Sequence, residues 1–73
     1  MTVNELIEML KTYPADMRVL TLGYEGGLHD IDIRWDSVVF DVNKDWYYGP
    51  HEYAKYVEDK DKGTECLVIG RSK

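Results

Sequence analysis

The stretch Gly23-Tyr24-Glu25-Gly26-Gly27 limits what this chain can fold into more than any other part of it. Three glycines in five residues permit positive φ angles at little steric cost, a freedom that other residues gain only at a steric cost. β-compatible residues precede the stretch and follow it. We therefore expect the chain to reverse here and to carry a strand on each side.

The flanking segments fit that expectation. Residues 18–24 contain β-compatible side chains, and Leu20, Leu22 and Tyr24 share one face by the period of two. Residues 29–35 alternate strictly, with Ile31, Ile33 and Trp35 on one face and Asp30, Asp32 and Arg34 on the other. The segment after the turn is the clearest strand in the sequence.

The apolar alternation changes parity near Asp36-Ser37, because Val38, Phe40 and Val42 fall out of step with the residues before them. A β-bulge would absorb the extra residue and keep one long strand. A two-residue hairpin loop would instead fold the chain back on itself. Asp-Ser is a poor match for a primed turn, which favours the bulge.

The N-terminal segment predicts a helix of about ten residues. Thr2-Val3-Asn4-Glu5 has the spacing of a capping box. Val3, Leu6, Ile7 and Leu10 then form an apolar stripe. Tyr13-Pro14 ends the helix, because the residue before proline is pushed out of the α region.

The second half predicts a short helix, a loop and a last strand. Pro50 can open a helix whose face carries Tyr53, Tyr56 and Val57. Residues 58–63 carry five charges of mixed sign before a glycine, which is typical of a solvated loop. The apolar run within residues 65–71 suits a central or doubly covered strand. The predicted fold is one α+β domain, residues 1–73, with the N-terminal helix packed on a small, mainly antiparallel sheet of three to four strands.

Composition narrows the function classes. A net charge of −5 disfavours binding to a phosphate backbone. No apolar run approaches the roughly 18 residues of a membrane span, and the acidic N-terminal segment is unlike a signal peptide. Cys66 is the single cysteine, which excludes an internal disulfide, and its apolar neighbours predict a buried, inert thiol. These features indicate the cytoplasm, and the thin core of 73 residues favours a homo-oligomer.

No residue set assembles into a catalytic or metal centre. His29, Asp30 and Asp32 do not share one strand face and have no second cluster to complete a metal site. Cys66 and His51 lack an orienting or oxyanion partner in the sequence. We therefore expect no enzymatic activity, no metal and no cofactor.

The glycine turn is a candidate ligand site through Tyr24, Glu25, Gly26 and Gly27, since glycine-rich backbone can bind anions with its N–H groups. The acidic Glu25 and the absence of a basic residue in the next six positions weigh against an anion. A plain hairpin turn is the favoured interpretation.

The aromatic segment of the second half is the best candidate for a functional surface. Tyrosine and tryptophan often anchor interfaces, because a large rigid ring system ends in a hydrogen-bonding group. The alternative is that a thin core recruits rings for buried area, and the sequence leaves both open. The candidate partner-binding residues are Trp46, Tyr47, Tyr48, His51, Glu52, Tyr53 and Tyr56.

Several segments together carry a resemblance that covers most of the chain. They are Thr2-Val3-Asn4-Glu5-Leu6-Ile7, Tyr13-Pro14-Ala15-Asp16, the glycine turn with Asp30-Ile31, and Trp46-Tyr47-Tyr48-Gly49-Pro50-His51-Glu52. In these segments the chain resembles a group of very small proteins common in tailed bacteriophages and prophages. The resemblance implies expression in an infected bacterial cytoplasm and carries over no catalytic residues.

Two functions follow as hypotheses. The first is a non-enzymatic accessory protein that binds and inhibits or redirects a host protein, such as one of a defence system, with a basic surface on the partner. The second is a small-ligand or nucleotide sponge, in which rings stack on a base at a subunit junction.

Overall fold

The computed structural model describes residues 1–58 and 63–72, and these residues form one short helix and four strands. In chain order the elements are α1 (Val3–Leu10), β1 (Leu20–Leu22), β2 (Leu28–Val39), β3 (Glu52–Tyr53), a 3-10 helix (Ala54–Tyr56) and β4 (Thr64–Arg71). The predicted α+β class, with a mainly antiparallel sheet, is confirmed. Most of the predicted solvated loop, residues 59–62, lies outside the described residues.

The capping box at α1 is formed. The Thr2 hydroxyl accepts a hydrogen bond from the Glu5 N–H at 3.1 Å, and the Glu5 carboxylate accepts one from the Thr2 N–H at 2.7 Å. The helix ends at Leu10, slightly earlier than expected, because Tyr13 N–H donates to the Leu10 carbonyl in a tighter turn ahead of Pro14. No residue of α1 is buried, and Leu6 alone on the apolar stripe is half-buried.

The glycine turn joins β1 and β2 into an antiparallel hairpin, as predicted. Leu20 pairs with Asp30, and Leu22 pairs with Leu28. The Gly23 N–H donates to the Gly27 carbonyl at 3.0 Å and closes the turn. The strand in front of the turn is shorter than expected from residues 18–24.

β2 continues through Asp36-Ser37 without reversing, so the hairpin alternative at that point is wrong. The Asp36 carboxylate accepts a hydrogen bond from the Ser37 N–H at 2.8 Å. After this point Val38 and Val39 are both buried. The strand ends at Val39, so Phe40 and Val42 lie beyond it and are exposed.

β2 pairs with each of the other three strands. Its contacts with β4 and with Ser72, the residue after β4, fall in reverse order along the chain: Asp30 with Ser72 and Trp35 with Glu65. This is the order of an antiparallel pair. Among the described residues β2 is the one strand neighbour of β4. The expectation that β4 is central is therefore wrong for the single chain, and Cys66 within it is half-buried rather than buried.

The sequence predicted that the segment after Pro50 is helical from its start. This prediction is wrong, because the backbone of the segment first pairs with β2. Tyr53 has an extended backbone and pairs with Val38, and Glu52 pairs with Val39. The helical part is limited to the single 3-10 turn Ala54–Tyr56.

The chain divides into two units. The first unit comprises Met1–Asp32 with Ile69–Lys73, and the second comprises Ile33–Val68. The buried side chains of the described residues, Val38, Val39 and Ala54, all belong to the second unit. Ile33 and Trp35, which the alternation places on one apolar face, lie in the same unit and are exposed.

Candidate functional site

The aromatic residues of the second unit are carried by a loop that we call the aromatic loop, residues 40–51. It leaves the sheet after Val39 and returns at Glu52, and these two residues pair with each other. Next to them Val38 and Ala54 are buried. Both ends of the loop are therefore attached to the best-packed part of the unit.

Hydrogen bonds close the neck of the aromatic loop. The N–H groups of Val42 and Asn43 both donate to the Pro50 carbonyl, at 2.9 and 3.0 Å. The side-chain amide of Asn43 donates to the Gly49 carbonyl at 2.8 Å and lies 3.5 Å from both the His51 carbonyl and a Glu52 carboxylate oxygen. Asn43 thus holds the outgoing and returning chains together.

His51 belongs to the neck of the loop rather than to its tip. Its Nδ1 accepts a hydrogen bond from the Asp41 N–H at 3.1 Å, which assigns the proton of the neutral ring to Nε2. The Phe40 ring meets the imidazole edge to face with 5.0 Å between the centroids. Asp41 has a φ of 57°, the left-handed conformation that aspartate tolerates better than most residues. His51 therefore shapes the loop.

The tip of the loop displays its three rings. Trp46 is 94% exposed, Tyr47 70% and Tyr48 55%. The Tyr48 N–H donates to the Asp45 carbonyl at 3.1 Å, so the tip is itself a turn. The rings of Trp46 and Tyr47 meet edge to face at 88°, with their centroids 5.7 Å apart. The larger part of these apolar rings faces water.

The remaining predicted residues form a second group behind the loop. The rings of Tyr53 and Tyr56 meet edge to face at 6.1 Å, and the Lys55 ammonium lies over both at 5.2 and 5.3 Å. Glu52 is half-buried and accepts a hydrogen bond from the Tyr53 N–H. The structure thus divides the predicted site into the tip, the neck (His51 and Glu52) and this lysine-capped pair.

The candidate ligand turn lies in the first unit. Glu25 and Gly27 have φ angles of 63° and 65°, and Gly26 has 149°. The Tyr24 ring is exposed and stacks under the Arg71 guanidinium, whose carbon lies 5.1 Å from the ring centroid. The internal hydrogen bond from Gly23 to Gly27 accounts for the shape of the turn without a ligand.

The other polar residues considered in the sequence have structural partners. The Arg18 guanidinium donates to the Asp30 carboxylate at 2.8 Å. His29 Nδ1 lies 3.2 Å from the Asp30 carbonyl and 3.4 Å from the Ser72 hydroxyl. An open depression of about 330 Å³ lies over Arg18, Leu20, Leu28, His29 and Asp30. In residues 1–58 and 63–72 no three His, Cys, Asp or Glu side chains are grouped to hold a metal ion.

Two residues of the second unit matter more than the sequence indicated. Asn43 carried only a turn signal, although Gly49-Pro50 downstream marked where a partner carbonyl could lie. Trp35 was placed on the apolar face of a strand, and it is 78% exposed there, with its indole N–H donating to the Glu65 carboxylate at 2.6 Å. No local signal identifies Glu65 as that partner.

Fold and site define a small α+β protein that displays an aromatic loop. No family model, curated protein or solved structure matches the chain. No helix in the described part of the chain has the length and apolar character needed to cross a bilayer.

Proposed function

We propose that the chain is a non-enzymatic accessory protein of the phage type that binds a protein of the bacterial host through the aromatic loop. Binding would inhibit the host protein or redirect it. The observation that supports the proposal is the 94% exposure of Trp46 at the tip of a loop whose neck is closed by hydrogen bonds. The resemblance to phage proteins supplies the setting.

Energetics favour this use of the loop. A tryptophan and two tyrosines displayed together offer the residue types that dominate interface hot spots. Their exposure costs free energy in the unbound protein, which a partner surface recovers by covering the rings. A loop closed by the bonds of Asn43 also loses less conformational entropy on binding than a flexible one.

Charge suggests what kind of surface the partner presents. The exposed acidic residues Asp41 and Asp45 belong to the loop, with Lys44 between them. The whole chain carries a net charge of −5. A partner with a basic surface is therefore favoured, and its association rate should fall as salt rises.

The test starts with affinity capture from a bacterial lysate, identification of the captured protein by mass spectrometry, and titration of that purified protein by calorimetry. Trp46→Ala should weaken its affinity by about 30-fold or more, as expected for a hot spot, and Tyr48→Ala should weaken it as well. Tyr13→Ala is the matched control, because Tyr13 is an exposed ring as well but lies outside the loop. Unchanged affinity in both loop variants would overturn the proposal.

A nucleotide panel separates this function from the ligand sponge. The Trp46 and Tyr47 rings meet nearly at right angles, so they do not form two parallel faces that would sandwich a base, and protein docking is the interpretation we favour. A sponge must be stabilised by its ligand. A rise in Tm with a nucleotide in the wild-type protein, lost in Trp46→Ala, would replace our proposal by the sponge.

A further inference from the structure

The outer edge of β4, the side turned away from β2, is a long strand edge in the described structure. β4 runs over eight residues, Thr64–Arg71, and pairs with β2. Its apolar run, residues 66–69, is the composition of a central or doubly covered strand. Strand edges of this length are usually covered, bulged or charged, because they pair readily with another chain.

The side chains of β4 are complementary to those of an identical strand. In an antiparallel pair centred on Val68, Glu65 faces Arg71 of the other copy and Leu67 faces Ile69. Two ion pairs would then flank two apolar pairs across a two-fold axis. If the register shifted by one residue toward the N-terminus, Glu65 would face the uncharged Gly70 and Arg71 would face the uncharged Thr64.

The contacts of the charged residues are compatible with this pairing. The Trp35 indole binds one carboxylate oxygen of Glu65, Oε2, so Oε1 can accept from an arginine of the second copy. The Arg71 guanidinium lies over the Tyr24 ring, a contact that uses its face and not its N–H edge. Glu65 and Arg71 are both exposed.

We propose that two copies of this chain pair through the outer edges of their β4 strands, antiparallel and centred on Val68. The sheet continues across the dimer, and β4 becomes a central strand, one of the two positions that its apolar run suits. The dimer displays two aromatic loops. This proposal depends on β4 and is independent of what the loop binds.

A charge-swap series measured by analytical ultracentrifugation tests the register. The wild-type protein should sediment as a dimer. Glu65→Arg and Arg71→Glu each place like charges opposite each other at two symmetric positions, so each should raise the dimer dissociation constant roughly tenfold. The double variant Glu65→Arg/Arg71→Glu should recover the wild-type constant. The proposal would be overturned if the wild-type protein were a monomer at every concentration. It would also be overturned if the double variant had a higher dimer dissociation constant than both single variants.

Cysteine cross-linking tests the axis directly. In a Cys66→Ser background, Val68→Cys places two thiols opposite each other, and oxidation should give a covalent dimer. Thr64→Cys is the control, since this exposed residue is about 26 Å from its counterpart in the same pairing. Cross-linking of the Thr64→Cys protein as fast as that of the Val68→Cys protein would contradict the assigned register.

Discussion

Asn43 and Gly49 are joined by a hydrogen bond of 2.8 Å, in which the side-chain amide of Asn43 donates to the Gly49 carbonyl. Since Asn43 lies before the aromatic tip and Gly49 after it, this bond crosses the neck of the aromatic loop. The position of the three displayed rings therefore depends on a residue that does not belong to the exposed surface itself.

Asn43→Ala should reduce the free energy of unfolding by about 1 kcal/mol, because one net hydrogen bond is lost. Asn43→Asp should reduce it further, since a carboxylate then faces the Gly49 carbonyl and the Glu52 carboxylate. Urea denaturation measures both changes. Asn4→Ala on the exposed surface of α1 is the control and should change the free energy little. Equal effects of the Ala and Asp variants would show that the amide is not the donor that closes the neck.

Gly63→Ala should destabilise the second unit by about 1–3 kcal/mol, the usual range for overpacking. A Cβ at this position would overlap the Ser37 hydroxyl and crowd the Ala54 methyl group, which is buried. Gly49→Ala is the control, since a Cβ there meets nothing within 4 Å. Adding Ser37→Gly to Gly63→Ala should restore part of the loss, and thermal denaturation of the four proteins would show it. An undiminished Tm in Gly63→Ala would mean that the strand moves away at no cost.

The glycine turn should tolerate asparagine better than β-branched residues. Gly27 has a φ of 65°, where a side chain costs roughly 1–2 kcal/mol and asparagine less than most. We expect Gly27→Val to lower the Tm clearly and Gly27→Asn to lower it little. Gly23→Ala should lower the Tm more than Gly27→Asn does, because a Cβ at position 23 meets the Gly26 carbonyl oxygen. The reverse order of Tm values would contradict the hairpin closure.

The capping box predicts a loss of helix at acid pH. The hydrogen bond from the Thr2 backbone N–H, followed by the contact with the Thr2 side chain, lowers the pKa of the Glu5 carboxyl below its ordinary value of 4.5. A carboxyl whose pKa is lowered by folding stabilises the folded state at pH values above the ordinary pKa. This stabilisation is lost as the pH falls through the folded-state pKa. Circular dichroism should therefore show α1 weakening below about pH 4.5.

Glu5→Gln removes the titrating group and is the variant that tests this dependence. Its acid transition should be shallower than that of the wild-type protein. Glu8→Gln is the matched control, because Glu8 lies on the same helix and pairs with Lys11 at 3.0 Å without entering the cap. An identical acid profile for the wild-type protein and Glu5→Gln would exclude a role of the cap in the pH dependence.

Local signals in the sequence were sufficient for the elements whose partners are near in the chain. The capping box joins residues three apart, and the glycine turn closes between Gly23 and Gly27. The alternation of residues 29–35 sets a strand, since its period depends on the backbone alone. For the aromatic loop the sequence predicted the ring residues but not their display, and it did not predict the role of Asn43.

The rest depended on which segments lie side by side. Trp35 is exposed and donates a hydrogen bond to Glu65, a residue 30 positions away in the chain. No pattern within a few residues encodes such a contact. The same holds for β4, whose apolar run suits a central or doubly covered strand, while the described part of the chain supplies one strand neighbour. Sequence by itself therefore determined the turn, the helix cap and the strand periods, because these arise from steric and hydrogen-bonding preferences of adjacent residues. Tertiary structure alone decided which apolar faces are covered, because burial depends on the area that distant segments bring together.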